Sequence, residues 1–168
     1  MILGVMSDSH DDVDSIERAI EIFQRMGVDE VIHLGDLISP FSLDPIVSSG
    51  IPFRIVRGNN DAEVLLAIRS LERGGIFHPS PAEIDYDGTR LLIFHGFGDK
   101  ELTKFTAISL ASSGRFDLVF YGHTHEVHVE EVGETLILNP GEVCGVLTGR
   151  KTVALVDTEA KKVEVIDL

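Results

Sequence analysis

The chain is poor in cysteine, tryptophan and basic residues, and each shortage narrows what the protein can be. Its 168 residues include a single cysteine, Cys144, which excludes an internal disulfide. A chain without disulfides suits a reducing compartment, so we expect a cytoplasmic protein. No apolar run approaches the roughly 20 residues that span a bilayer, so we expect no membrane association. The first residues form a strand pattern without a basic leader, and we expect no signal peptide.

The charge balance excludes one large class of partners. The chain has 14 lysines and arginines against 28 aspartates and glutamates, a formal net charge of -14 at pH 7. Such a chain repels polyanions and lacks the basic surface that long nucleic acids require. A small phosphorylated substrate remains compatible, because bound divalent cations would supply a positive field among the carboxylates. The length suits one domain, which we expect to comprise residues 1–168.

Short apolar runs and helical patterns alternate in the first half of the chain, and strands dominate the second half. The runs predict strands at 2–6, 31–34 and 53–56, and helices at about 13–26, 41–49 and 64–74. Asp11 or Asp12 would cap the first helix, and Gly27 would end it. A hairpin is predicted at 84–94, with its turn at Asp87-Gly88. It is followed by a helix from about Leu102 to Gly114. The remaining apolar runs predict strands at 118–121, 127–132, 135–138, 152–156 and 163–166. This order predicts an α/β fold with two packed sheets and outer helices, in which Leu102, Phe105 and Ile108 belong to the core.

Five of the apolar runs end in residues that can bind a metal ion. These candidates are Asp8, His10, Asp36, Asn59, His95, His123 and His125. Because open α/β sheets bind ligands beyond the carboxyl ends of their strands, we expect these side chains to share one pocket. Seven donors exceed the needs of one tetrahedral zinc and suit two ions, with Asp36 as the bridge. A mixed oxygen and nitrogen set without thiolates favours manganese, iron, zinc or nickel.

Each candidate also has an ordinary structural interpretation. A single aspartate after a strand commonly caps a turn or a helix, and Asn59 after Gly58 suits a left-handed turn. Other chemistry-bearing residues are interpreted as structural: His33 and His78 as buried or solvated side chains, Thr124 as a spacer within reach of phosphate, and Cys144 as a small buried apolar residue. For His128 we favour a position away from the site, and a position at the border of the cleft is the alternative.

Taken in chain order, the segments around the candidates resemble one family. Asp8-x-His10, Gly35-Asp36, Gly58-Asn59-x-Asp61, His95-Gly96 and Gly122-His123-x-His125 are similar to the calcineurin-like metallophosphoesterases, and Asn139-Pro140-Gly141-Glu142 is similar to their small bacterial and archaeal phosphodiesterases. The resemblance implies a four-layer sandwich of two packed mixed β-sheets flanked by α-helices. It implies that Asp8, His10 and His125 hold one metal, that Asn59, His95 and His123 hold a second, and that Asp36 bridges them. Asn60 and Asp61 would complete the catalytic set, Asp61 by orienting the site.

The activity implied is hydrolysis of a small phosphodiester or nucleotide-like substrate by a hydroxide that bridges two divalent ions, with manganese favoured and nickel, iron or zinc as alternatives. Two positions depart from the family pattern, since Asn60 and Phe97 stand where many members have histidine. A positioned general acid contributes about 10²- to 10⁴-fold, so we expect slow hydrolysis that favours good leaving groups, such as aryl phosphodiesters. The alternatives are a non-enzymatic scaffold of the same fold, like the retromer subunit, and a nucleotide-binding sensor. A homodimer is a further expectation from the resemblance.

Overall fold

A computed structural model describes residues 1–61 and 64–168. The strands are β1 (Ile2–Met6), β2 (Glu30–His33), β3 (Phe53–Val56), β4 (Ile76–His78), β5 (Ala82–Tyr86), β6 (Thr89–Phe94), β7 (Leu118–Tyr121), β8 (Val127–Val132), β9 (Thr135–Pro140), β10 (Thr152–Asp157) and β11 (Lys162–Asp167). The helices are α1 (Val13–Arg25), α2 (Asp44–Ser48), α3 (Val64–Glu72) and α4 (Lys100–Ser112), with a 3₁₀ turn at Pro40–Leu43 before α2. Within the described ranges, no helix has the length and hydropathy needed to cross a membrane.

The strands form two mixed sheets. The first sheet has the order β11-β10-β1-β2-β3-β4, and the second has the order β5-β6-β7-β9-β8. β1, β2, β3 and β4 run parallel to one another in the first sheet, and so do β6, β7 and β9 in the second. The carboxyl ends of parallel strands meet at one edge of a sheet. The loops after β1, β2 and β3 therefore lie together, and so do the loops after β6 and β7.

Apolar side chains fill three spaces between four layers. Residues of β1, β2 and β3 pack against β6, β7 and β9 between the two sheets. On the outer face of the first sheet, Ile16, Ile20 and Phe23 of α1 are buried with Ile46 of α2. Small residues of α4 cover the outer face of the second sheet. The predicted helix, sheet, sheet, helix sandwich is confirmed.

Local signals in the sequence explain several boundaries. Asp12 begins α1, because its carboxylate accepts a hydrogen bond from the Ser15 amide at 3.1 Å. Asp87 and Gly88 both have positive φ, at 51° and 95°, as a two-residue hairpin turn requires. Both predictions are confirmed. The predicted helix at 41–49 is instead a 3₁₀ turn followed by the five-residue α2. The three-residue β4 was not predicted.

The orientation of α4 differs from the sequence prediction, and α3 also exposes apolar side chains. Leu102 and Phe105 of α4 are 44% and 67% exposed, so the prediction that they belong to the core is wrong. The sheet beneath α4 already carries the bulky Phe94 and Tyr121, and the helix packs on it through small residues such as Ala107. On α3, Val64, Leu65, Ile68 and Leu71 likewise face solvent, whereas Leu66 and Ser70 are buried.

Candidate metal centre

Asp8 follows β1 and is completely buried beneath the loops of both sheets. One carboxylate oxygen, Oδ2, accepts hydrogen bonds from the Ser7 hydroxyl at 2.6 Å and from the His123 amide at 3.0 Å. The other, Oδ1, is buried and has no hydrogen-bond partner among the residues that the structure describes. Burial raises the pKa of the Asp8 carboxyl, because desolvation outweighs the attraction of His95 and His125. Since an unpaired buried carboxylate oxygen is costly, this geometry suits a cation beside Oδ1.

His10 and His125 lie beside Asp8 with their rings stacked 5.3 Å apart. His125 Nε2 lies 3.4 Å from Asp8 Oδ1, and His10 Nε2 lies 3.5 Å from Asp36 Oδ2. His125 Nδ1 contacts the Glu142 carboxylate at 2.8 Å. Because a carboxylate only accepts, Nδ1 carries the proton in the neutral ring and Nε2 turns a lone pair toward Asp8. His10 Nε2 is the second buried polar atom for which the described residues provide no partner.

Asp36 follows β2 and lies between two groups of imidazoles. Its Oδ2 is 3.5 Å from His10 Nε2 and also 3.5 Å from His95 Nε2, which is the position a bridging carboxylate would need. Asn60 donates to both oxygens, from its amide to Oδ1 at 2.8 Å and from its side chain to Oδ2 at 2.7 Å. Burial by itself would raise the pKa of Asp36, but His95 and the two Asn60 donors hold that pKa well below its usual range. Asp36 is therefore ionised and fixed in orientation.

Asn59, His95 and His123 form the other half of the cluster. Asn59 Oδ1 lies 3.0 Å from His95 Nε2 and 2.9 Å from His123 Nδ1. The opposite ring nitrogens contact carbonyl oxygens, His95 Nδ1 with Leu34 at 2.8 Å and His123 Nε2 with Gly98 at 2.9 Å. A carbonyl only accepts, so these contacts place the protons of the neutral rings away from Asn59. Two imidazole lone pairs and an amide oxygen then face one another, an arrangement that a metal ion stabilises.

The carboxylates also attract positive charge to this part of the cluster. Burial opposes protonation of His95, but Asp36 and Asp8 outweigh it and raise the pKa of that imidazole. Either a proton or a divalent ion can provide the charge. Three residues, Asp8, Asp36 and His95, offer donor atoms within 4.8 Å of one another, and so do Asp8, His10 and His125. Oxygen and imidazole donors of this kind fit hard or intermediate divalent ions.

The backbone around the cluster is held in uncommon conformations. Five candidate residues have positive φ: Asp8 at 53°, His10 at 43°, Asp36 at 58°, His123 at 68° and His125 at 62°. Such strain costs about 1–3 kcal/mol per residue and tends to occur at functional sites. Close approach adds a further constraint, because a Cβ on Gly58 would lie 2.2 Å from Asp36 Oδ1, and one on Gly122 would lie 2.1 Å from Ser7 Oγ. Glycine is therefore required at both positions.

Asp61 and Glu142 hold the cluster in place from outside it. Asp61 accepts three backbone hydrogen bonds, from Asp36 and Gly58 at Oδ2 and from Ile38 at Oδ1. Glu142 is fully buried and accepts from His125. The Asn139-Pro140-Gly141-Glu142 segment resembles the family, but no role was predicted for Glu142. Its place in that segment is the signal that could have found it.

The remaining predicted residues have structural contacts. His33 is buried against Ser9 at 2.9 Å, and His78 contacts Arg54 at 3.3 Å. Thr124 accepts from Asn139 at 3.0 Å, and buried Cys144 lies 3.2 Å from Glu142. His128 contacts the Tyr121 hydroxyl at 2.7 Å, so the structural interpretation of these residues agrees with the geometry.

Residues 1–161 match the family model for the calcineurin-like phosphoesterase superfamily domain. The chain belongs to this superfamily. Phosphodiesterase MJ0936 of Methanocaldococcus jannaschii is 36% identical over 165 residues, which cover 96% of each chain. Phosphodiesterase YfcE of Escherichia coli strain K12 is 27% identical over 154 residues, which cover 85% of this chain and 79% of that one.

Solved structures extend the likeness to the whole fold. The structure of an archaeal phosphodiesterase matches with a TM-score of 0.90 at 36% identity and covers 100% of both chains. Vps29 of Chaetomium thermophilum matches with a TM-score of 0.72 at 17% identity, covering 100% of this chain and 96% of that one. At this identity the second likeness concerns the fold alone. Membership in the superfamily confirms the expected resemblance and the phosphoesterase class.

Proposed function

We propose that this calcineurin-like phosphoesterase is a phosphodiesterase that uses two divalent metal ions. Asp8, His10 and His125 would hold one ion, and Asn59, His95 and His123 the other, with Asp36 shared by both. The observation that carries the proposal is the pair of buried atoms, Asp8 Oδ1 and His10 Nε2, that lack a hydrogen-bond partner inside the cluster. The names of the archaeal and bacterial relatives support the reaction class.

We propose manganese as the ion, with nickel, iron or zinc as alternatives, because the donor set suits all four. Carboxylate, amide and imidazole ligands suit these ions better than they suit calcium, and the cluster around Asp36 has no thiolate among its donors. A small phosphodiester is the proposed substrate. The net charge of -14 disfavours a long polyanion, and bound cations would offset that charge locally.

When bound, such ions polarise a phosphoryl oxygen and lower the pKa of water toward neutrality. The chain's own residues prepare the site. Asn60 and Asp61 orient Asp36 through hydrogen bonds. The three histidines are oriented by contacts at the ring nitrogen that faces away from the cluster, so that the other nitrogen directs its lone pair inward: His95 contacts Leu34, His123 contacts Gly98 and His125 contacts Glu142. Asn60 and Phe97 cannot donate a proton to a leaving alkoxide, because an amide and a phenyl ring are not acids.

Hydrolysis should consequently depend strongly on the leaving group. We expect kcat for aryl diesters to exceed kcat for alkyl diesters by a factor that grows as the pKa of the leaving alcohol rises, because neither Asn60 nor Phe97 supplies the proton. A series of 4-nitrophenyl, phenyl and ethyl phosphodiesters measures this dependence. Equal rates across the series would show that another group acts as the acid.

The principal test combines metal content with turnover. The purified protein should contain close to two equivalents of a transition metal and hydrolyse bis(4-nitrophenyl) phosphate with added manganese. Asp36→Asn should lose about one equivalent of metal and most of the activity, since it weakens the shared ligand. Asp44→Asn, at a surface carboxylate that lies 3.6 Å from Arg73, is the matched control.

A non-enzymatic scaffold is the second candidate function. The exposed apolar residues Val64, Leu65 and Leu71 on α3 favour it, because exposed apolar surface can serve protein interaction. Bound metal without turnover of any diester would favour this candidate. Tight binding of a nucleotide without hydrolysis would favour a sensor. Turnover that is lost in Asp36→Asn would exclude both. The expected homodimer stays a prediction, to be measured by analytical ultracentrifugation.

A further inference from the structure

A cavity of about 430 Å³ opens directly beside the metal centre. Its wall includes Asn59 and Gly96, so it begins at one candidate ligand and at the neighbour of another, His95. A volume of a few hundred Å³ is sufficient to enclose a small organic group. Anything bound at the second half of the cluster would therefore extend into this space.

The cavity wall is mainly apolar. It is formed by rings and aliphatic groups of Pro79, Pro81, Phe94, Phe97 and Leu110. Among the described residues that line it, Arg57 is the one with a full charge, and that charge is positive although the protein is strongly acidic. An apolar wall with one cation is complementary to an aromatic group attached to an anion.

A second cavity near the cluster has the opposite character. It is about 170 Å³ in volume, and Lys100, Glu101, Lys104 and Glu126 are among the residues that line it. Thr124 connects it to the His123 and His125 loop. Tyr121 and Val127 also line this cavity, but walls with charges of both signs suit an aryl group less well than a mainly apolar wall does. The two cavities beside the cluster therefore differ: the first has a mainly apolar wall, and the second has a charged one.

The backbone of Phe97 is held in place beside the candidate ligands by Thr103 and by the contact of the next residue with His123. Its amide donates to Thr103 Oγ1 at 3.1 Å, and its carbonyl accepts from the same hydroxyl at 2.8 Å. The next residue, Gly98, accepts from His123 at 2.9 Å. The phenyl ring is nevertheless 52% exposed, so it has apolar surface left for a ligand to cover.

We propose that this cavity seats one aromatic ester group of the diester while the phosphoryl group lies at the metal centre. The proposal rests on the proposed function and specifies its substrate class: phosphodiesters with at least one flat aromatic substituent. Phe97 then acts in specificity, and Arg57 adds attraction for the anion. Selection by the cavity is separate from the leaving-group effect, because it operates on binding and not on proton transfer.

Phosphonates separate the two effects, since their carbon to phosphorus bond is not hydrolysed. Calorimetric titration of the manganese-loaded protein should show that phenylphosphonate binds about five- to tenfold more tightly than methylphosphonate, through burial of the ring. Phe97→Ala should reduce this preference at least about threefold, by weakening phenylphosphonate alone. Phe41→Ala removes a phenyl group that is similarly exposed, at 58%, and lines a cavity of different residues, so it should leave both affinities unchanged.

The outcomes distinguish the two proposals. Equal affinities for the two phosphonates, or an equal loss of both in Phe97→Ala, would overturn the aromatic cavity while the metal-dependent activity stands. If neither phosphonate bound to protein that carries metal, and no turnover were seen, both the aromatic cavity and the proposed function would be overturned. Selective weakening of phenylphosphonate in Phe97→Ala, but not in Phe41→Ala, would support the inference.

Discussion

Glu142 offers the sharpest test of how the centre is held. Its carboxylate accepts hydrogen bonds from His125 Nδ1 at 2.8 Å, from the Thr148 amide at 2.6 Å and hydroxyl at 2.7 Å, and from the Leu147 amide at 3.0 Å. Burial alone would raise the pKa of Glu142, but the donors at His125 and Thr148 outweigh it and lower the pKa to about 2. The ionised form is therefore the one that the fold stabilises.

The size of the effect follows from the two pKa values. With a pKa of 4.5 in the unfolded chain and about 2 in the folded chain, ionised Glu142 contributes roughly 3 kcal/mol at neutral pH. Because the folded pKa is the lower one, this contribution is complete above pH 4.5 and is lost as the pH falls through 2. At pH 3 roughly 1.5 kcal/mol should remain.

Glu142→Gln removes this charge without changing the shape of the side chain. Urea unfolding of the metal-free protein should show a loss of roughly 3 kcal/mol at pH 7, shrinking toward pH 3. Metal affinity should fall about 10- to 100-fold, since a neutral amide accepts from His125 Nδ1 more weakly than a carboxylate does and so orients that ring less firmly. Glu83→Gln, at an exposed carboxylate paired with Arg115 at 2.7 Å, is the control.

Two results would refute this account of Glu142. A destabilisation of the same size at pH 3 and pH 7 would mean that shape, not charge, is responsible. Unchanged metal affinity in a destabilised variant would mean that Glu142 stabilises the 145–149 loop without orienting His125.

Four other substitutions test separate parts of the fold. Asp61→Asn should cost about 2–3 kcal/mol in urea unfolding and weaken metal binding, because the new amide cannot accept from all three backbone donors; a neutral effect would contradict this. Tyr86→Phe should cost about 1–2 kcal/mol at pH 7, because it removes the hydroxyl donor to buried Glu30 and weakens the link between the two sheets. Ala107→Leu should cost about 1–3 kcal/mol by overpacking, whereas Phe105→Ser should change stability by less than about 0.5 kcal/mol. The reverse order, measured by thermal or urea unfolding, would place Phe105 in the core.

The sequence was most informative where residues that can bind a metal follow directly after predicted strands. The apolar runs before Asp8, Asp36, Asn59, His95 and His123 predicted both the strands and the meeting place of the polar residues, because parallel strands align their carboxyl ends. The geometry brings all seven candidates together. Whether each one binds metal stays a prediction for the experiments above.

Helix orientation was harder to predict, for a physical reason. The apolar stripe of α4 suggested a core face, yet Ala107 and Ala111 face the sheet because Phe94 and Tyr121 already fill that space. Hydrophobic periodicity depends on the sequence of one helix alone, whereas the face that is buried also depends on the space that neighbouring side chains leave open. Glu142 was missed for a similar reason, since its partner His125 lies 17 residues away in sequence.

The hydrogen bonds from the His123 amide to Asp8 and from His95 to Leu34 join the loops of opposite sheets. These contacts between protein groups preorganise the donor atoms during folding, so binding of an ion requires little further loss of conformational entropy. Such rigidity strengthens ion binding. The occupant in the cell would then be selected by metal supply and intrinsic affinity more than by rearrangement of the chain.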